Sequence, residues 1–472
     1  MNYVFYDLET SGKEPCWDQI LQVAAILVDK NFNVLDQFEL RSKLKPGLVP
    51  SAYALKVNHS TFKNVIENNN SHFEMICKLE DKFKAWSPAY FIGYNNIAFD
   101  EEFLRNSFFK SLKDPYLTSL NRNKRSDLLG LLRTSDLFFP DKIKIPRNKE
   151  TNRKVFKLDR ICPENGIEHF AHDALGDVEA TIEIAKRIEK KLPMMWKTCL
   201  ICSEKSNVLE FLRKNRIVFF SETFFGKTMG FGGCYLANHP IYKYPIVFDL
   251  NFNPEEFIDL SIKDLKETFS LGQKFIRTIK YNKNPILLTL EQIESSSYFE
   301  KDRLNEYKKK SYLLDSNSTF KEKVIEFLMD LAQEKKINEE NEGSQEDIMA
   351  EESLYKGGFP SFNDLKTKQE FLTANWQERY DLCQKFTDKR LSYFGWRLIY
   401  EEFPEALPAN TKREIHDKIK FQLCSLNKEK WNTLNDFNKE IENIEKEDKT
   451  SSEYDIVEEL KRIRIYLNKL YV

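Results

Sequence analysis

The sequence predicts an α/β domain built on a mixed sheet with helices on both faces, followed by a β-rich domain and a mostly helical C-terminal domain. Three patterns carry this reading. Residues 1–190 open with three strand-like runs before strand and helix signals alternate, 193–347 hold short strand-like pieces among Gly, Pro and Asn, and 350–472 are largely helix-periodic. A chain of 472 residues also exceeds one typical core, so several domains are expected.

In the first region NYVFYD, ILQVAAILVD and NVLDQFELRS are rich in Val, Ile, Leu and Phe, and the turn-forming stretches TSGKEP and KNFN separate them. The helical run HFEMICKLEDKFKAW leads into a further strand, AYFIGYN. Helical patterns follow over EEFLRNSFFKSL, RSDLLGLLRTSDLF and LDRICPENGI, and then over the amphipathic DALGDVEATIEIAKRIEKKL. In the second region RIVFFSE, CYLANHP, YPIVFDLN and NPILLTL read as strands, with helical insertions between them. The acidic, weakly apolar stretch 338–352 reads as a linker or solvated loop.

With 41% hydrophobic and 13% aromatic residues, the composition is that of a globular protein. Lys and Arg (72) nearly balance Asp and Glu (74), so net charge gives no sign of a polyanionic partner, although a basic groove is compatible with a neutral total. The first residues show no basic and apolar leader pattern, and no run approaches the roughly 18 apolar residues of a membrane span. A cytoplasmic protein without a membrane segment is expected. The 8 scattered cysteines suit a reducing compartment, and Cys199 with Cys202, lacking a second pair, reads as a buried pair rather than half a zinc site.

Chemistry concentrates in three places. Asp7 and Glu9 stand two apart in a strand, which puts both on one face; two neighbouring carboxylates repel each other and call for a cation, and oxygen ligands favour Mg²⁺ or Mn²⁺ over zinc. Exposed strand-end acids are the alternative. Asp100 follows the strand AYFIGYN near the start of a helical pattern, either as a third site acid or as an ordinary N-cap. Asp177 falls in the first turns of the long helix and His172 just before it, where a near-neutral imidazole suits a general base. His169 reads as structural or surface.

The order DxE, NxxFD and HxAxxD resembles the exonuclease superfamily named for its Asp, Glu, Asp, Asp set, in the branch with a catalytic histidine. The stretches GYNNIAFDEEFLRNSFF, DPY, SDLLGLLR, NGIEHFAHDALGDVEATIEIAK, LYKGGF and DKRLSYFGWRL are further similar to the bacterial exodeoxyribonuclease I family. That resemblance implies a ribonuclease H-like exonuclease domain at 1–190, an SH3-like domain at 193–347 and a helical domain at 350–472, together enclosing a channel for single-stranded DNA. It implies processive 3′→5′ hydrolysis of single-stranded DNA to 5′-mononucleotides in repair and recombination, by a monomer that binds the acidic tail of single-strand-binding protein.

On the same ground Asp7, Glu9 and Asp177 would hold one Mg²⁺ and Asp7 with Asp100 a second, Mn²⁺ being an acceptable substitute, and His172 would deprotonate the water. Glu9, Arg105, Tyr116, Arg133 and Lys157 would meet substrate. Lys157 departs from the family's usual arginine, offering a point charge in place of a fork. The segment from His169 to His172 is one residue short, and FFGKTMGFGGCYLANHP, with Lys227, matches only loosely. The competing readings are an RNA-directed or proofreading relative, since the acids alone do not choose the sugar, and a non-catalytic binding module, disfavoured because all four acids and the histidine are present.

Overall fold

The computed structural model describes residues 1–169, 173–341, 348–447 and 456–472. In chain order the elements that position the site are β1 (Asn2–Thr10), β2 (Ile20–Val28), β3 (Val34–Arg41), α1 (His72–Trp86), β4 (Ala89–Gly93) and α2 (Asp100–Lys110). After them come β5 (Lys124–Asp127), α3 (Leu128–Phe138), α4 (Leu158–Glu164) and α5 (Ala174–Lys191). The chain forms two compact units, one of Met1–Asn123, Phe170–Glu179 and Asp347–Val472, the other of Lys124–His169 and Ala180–Glu346.

In the first unit the strands run in the order β3-β2-β1-β4; β1 pairs antiparallel with β2 and parallel with β4, and β2 pairs antiparallel with β3. The sheet is therefore mixed, as expected. Strand β2 is buried along its whole length, which its sequence ILQVAAILV, apolar but for Gln22, allows, whereas the edge strand β3 is mostly exposed. Helix α1 starts at a capping box between Ser71 and Glu74 and lays Met75, Ile76, Leu79 and Phe83 against Val4, Tyr6 and Leu8 of β1, with Phe103 and Phe108 of α2 completing this layer. Each such side chain contributes about 1.5–3 kcal/mol when fully buried.

The C-terminal helices Lys389–Glu402, Ala409–Leu423, Leu434–Glu447 and Ile456–Tyr471 belong to this same unit. Their apolar faces merge with the N-terminal part, joining Leu21, Val49 and Leu55 to Phe437, Ile441 and Leu460, and Phe73 and Phe109 to Phe371, Phe394 and Leu398.

The second unit is organised on an antiparallel five-stranded sheet in the order β10-β6-β7-β8-β9, formed by β6 (Val218–Phe224), β7 (Lys227–Asn238), β8 (Pro245–Asp249), β9 (Ile276–Thr278) and β10 (Leu288–Thr289). Positive φ at Phe225 (47°) and Gly226 (77°) closes the β6–β7 hairpin in two residues. Helices are more extensive here than the strand-like pieces suggested: Pro193–Ile201, Lys205–Lys214, Lys301–Asp315 and Ser318–Asn341 are all helical. The last of these carries 338–341, so the start of the acidic stretch is helix rather than loop, in keeping with the helix propensity of its two Glu residues. The pattern RSDLL divides at Asp127, whose carboxylate accepts the Leu129 N–H and caps α3, leaving Lys124–Asp127 as strand. Among the described residues no helix is long and apolar enough to cross a membrane.

Candidate metal centre

Alternation along β1 sorts its side chains. Val4, Tyr6 and Leu8 enter the core under α1 and α2, and Asp7 and Glu9 therefore share the opposite face. There Glu9 stands across from Gln22 and Asp7 across from Ala24. Asp177, in the first turn of α5, completes the group: Asp7, Glu9 and Asp177 each bring one carboxylate oxygen to within 4.8 Å of the others.

Asp100 is the first residue of α2, not its cap. The N-cap position belongs to Phe99 and has no side-chain cap, and the Asp100 carboxylate instead accepts the backbone N–H of Leu8 at 3.1 Å. This overturns the ordinary N-cap alternative and ties the helix to the strand segment between the two acids. Behind it lies a buried polar network. The Tyr6 hydroxyl donates to Glu101 Oε1 at 2.8 Å and accepts from Asn96 Nδ2 at 3.2 Å, and Thr118 donates to Glu101 Oε2 at 2.8 Å.

The start of α5 is held from the sheet. Asp177 N–H donates to the Asp173 carbonyl at 3.0 Å, and the Asp173 carboxylate accepts from Gln22 Nε2 at 3.1 Å and Arg41 Nη2 at 3.2 Å.

Crowded acids make the site electrostatically unfavourable by itself. Burial, then the charges of Asp100, Asp177 and Glu9, push the Asp7 carboxyl well above its usual range. Burial, then Asp177 and Asp100, push Glu9 up to about 8, against a smaller pull from Arg41. A cation among these oxygens would relieve both effects, and an all-carboxylate donor set suits a hard divalent ion, so the residues present fit such an ion. Among the described residues no other cluster of His, Cys, Asp and Glu has this closeness.

The substrate candidates fall in both units. In the first, the Arg105 guanidinium lies 5.4 Å from the Tyr116 ring centre and donates to the Tyr355 hydroxyl at 3.0 Å, with Glu102 at 3.5 Å. In the second, Arg133 lies 5.7 Å from the Phe156 ring centre, while Lys157, just before α4, and Lys227, at the start of β7, are exposed. His169 is half-buried, and His172 lies outside the described residues. Cys199 and Cys202 are fully buried free thiols, with Cys199 Sγ 3.1 Å from Ser126 Oγ and pushed up to about 12 by burial, which fits a packed pair.

Sequence reasoning missed Gln22, Arg41 and Asp173, as well as the Tyr6–Asn96–Glu101 support. Asp173 adjoins a motif residue and was within reach. Gln22 and Arg41 become visible only once strand register is known.

The Exonuclease family matches residues 4–185 and the Exonuclease I C-terminal domain matches 348–470. The exodeoxyribonuclease I of Buchnera aphidicola subsp. Baizongia pistaciae is 31% identical over 361 residues, covering 72% of this chain and 73% of its own. The crystal structure of Escherichia coli exonuclease I with a dA16 oligonucleotide superimposes with a TM-score of 0.79 at 22% identity over 99% of both chains. A structure of an SSB/exonuclease I complex with an inhibitor matches with a TM-score of 0.77 at 22% identity, again over 99% of both chains. At that identity the two structural likenesses are likenesses of fold.

Proposed function

The chain belongs to the exodeoxyribonuclease I family, and from that membership we propose that it hydrolyses single-stranded DNA processively from the 3′ end, releasing 5′-mononucleotides. The observation that carries the reading is the convergence of Asp7, Glu9 and Asp177 within 4.8 Å, beside an Asp100 anchored to the same strand.

In this reading Asp7, Glu9 and Asp177 would hold one Mg²⁺ and Asp7 with Asp100 a second, with Mn²⁺ able to replace either. When bound, the ions acidify the attacking water and neutralise charge developing on the leaving 3′ oxygen. His172 takes the proton of that water, a role suited to an imidazole titrating near neutrality. The Leu8 N–H holds Asp100 in place, so that the strand and helix acids keep their separation through the reaction. Arg105, Arg133 and Lys157 meet backbone phosphates, and Tyr116 stacks on a base next to the Arg105 guanidinium.

We extend the proposal to the wider protein. The division is 1–190 for the exonuclease domain, 193–347 for an SH3-like domain and 350–472 for a helical domain. The protein acts as a cytoplasmic monomer in DNA repair, and it binds the acidic tail of single-strand-binding protein. An SSB/exonuclease I complex among the structural relatives supports that partner.

Digestion of a 5′-labelled single strand, as DNA and as RNA, with Mg²⁺ or with EDTA, tests this reading. A ladder that shortens from the 3′ end on DNA and only with metal is expected. Equal decay of RNA would overturn the substrate assignment.

A further inference from the structure

We infer that Gln22 and Arg41, acting through Asp173, are positioning residues that hold Asp177 against Asp7 and Glu9. This rests on the proposed function only in taking those three acids as the reactive centre.

The register places Glu9, Gln22 and Arg41 directly opposite one another on β1, β2 and β3, so they form one row on one face of the sheet. Gln22 is 1% exposed, and its Nε2 donates to Glu39 Oε1 at 2.9 Å and to Asp173 Oδ1 at 3.1 Å. Arg41 Nη2 reaches the same Asp173 oxygen at 3.2 Å. One oxygen thus takes two donors from two strands, one of them charged, and charge-assisted bonds of this type fix orientation well.

Asp173 immediately precedes α5, and its carbonyl accepts the Asp177 N–H at 3.0 Å. Restraint at Asp173 is therefore restraint on the turn that carries Asp177. The need for it is electrostatic. Asp177 and Glu9 repel each other, and that repulsion would move the N-terminal turn of α5 away from the sheet. A tether from the strand next to Glu9 opposes this movement where it would begin.

As a contribution to overall stability the ion pair is weak, because Arg41 and Asp173 side chains are 29% and 46% exposed. Its effect belongs at the site, and that separates a positioning role from a merely structural one. Residues that orient metal ligands typically change metal affinity or activity by about 10–100-fold when removed.

The test uses the full chain and the variants Arg41→Met, Arg41→Lys and Asp173→Asn. Each is titrated with Mn²⁺ by calorimetry in the absence of DNA, then assayed for kcat and KM on single-stranded DNA, with Tm measured alongside. Arg41→Met is expected to weaken Mn²⁺ binding and lower kcat by roughly tenfold or more with KM and Tm little changed, and Arg41→Lys to recover part of the loss. The Arg41→Met/Asp173→Asn double variant should be no worse than the more impaired single one, since both changes remove the charge assistance of the same link. Mn²⁺ affinity within twofold of the parent in both Arg41→Met and Asp173→Asn would overturn the inference, as would losses that track Tm alone. Because the Mn²⁺ titration needs no cleavage, a parent protein inactive on DNA would refute the proposed function and still leave this inference tested.

Discussion

The backbone N–H of Leu8 donates to the Asp100 carboxylate at 3.1 Å, so the residue lying between Asp7 and Glu9 is itself the anchor of the third acid. Removing the charge and removing the acceptor should therefore have different effects. Asp100→Asn keeps an oxygen for Leu8 and relieves repulsion on Asp7, so its stability should equal or exceed the parent's while activity falls steeply. Asp100→Ala strands a buried N–H and should lose roughly 1–3 kcal/mol of stability as well. Urea unfolding of both variants beside single-turnover cleavage checks the pair.

The acid cluster predicts a pH dependence for the metal-free protein. Glu9 is raised from its ordinary 4.5 to about 8, so the folded state binds its proton more tightly than the unfolded chain does. Stability in EDTA should be greatest at low pH and fall as pH rises from about 4.5 through about 8. Thermal unfolding across that range should show a declining Tm, flatter in Glu9→Gln and restored by Mn²⁺ at the alkaline end. A Tm that rises over the range would contradict this account.

Tyr6 packs beneath the site with its hydroxyl shared between Glu101 and Asn96. Tyr6→Phe should destabilise the protein by roughly 1–3 kcal/mol, because Asn96 Nδ2 then loses its buried acceptor. Denaturant unfolding measures this, and KM for DNA should stay at the parent value.

Legibility of the molecule followed the range of each interaction. Asp7 and Glu9 could be read because strand alternation is local, and Asp177 because helical periodicity places it in the first turn of α5. Asp100 was found by position, but its bond to Leu8 spans 92 residues and no local pattern encodes it. The same limit hid Gln22 and Arg41, whose closeness to Asp173 depends on two strand registers at once. Helix Pro193–Ile201 escaped because its short apolar run serves strand and helix equally well. The merging of Leu21 and Leu55 with Phe437 and Leu460 is likewise a long-range event.

In the proposed mechanism His172 is the general base, and its loss should slow turnover by about 10²–10⁴-fold. Binding of a fluorescein-labelled strand by His172→Ala, followed by anisotropy with Ca²⁺ in place of Mg²⁺, should match the parent. Unchanged turnover at neutral pH would remove the role.

Asp7, Glu9 and Asp177 are proposed to form one metal-dependent centre that shortens single-stranded DNA from its 3′ end. Single-turnover digestion of a 5′-labelled strand by the parent and by Asp177→Asn, with and without Mg²⁺, tests it most directly. The expected result is a ladder of progressively shorter labelled strands for the parent with Mg²⁺ alone, and almost complete loss of it in a variant that still folds. Immediate release of the label as a mononucleotide, or an Asp177→Asn variant as active as the parent, would contradict it.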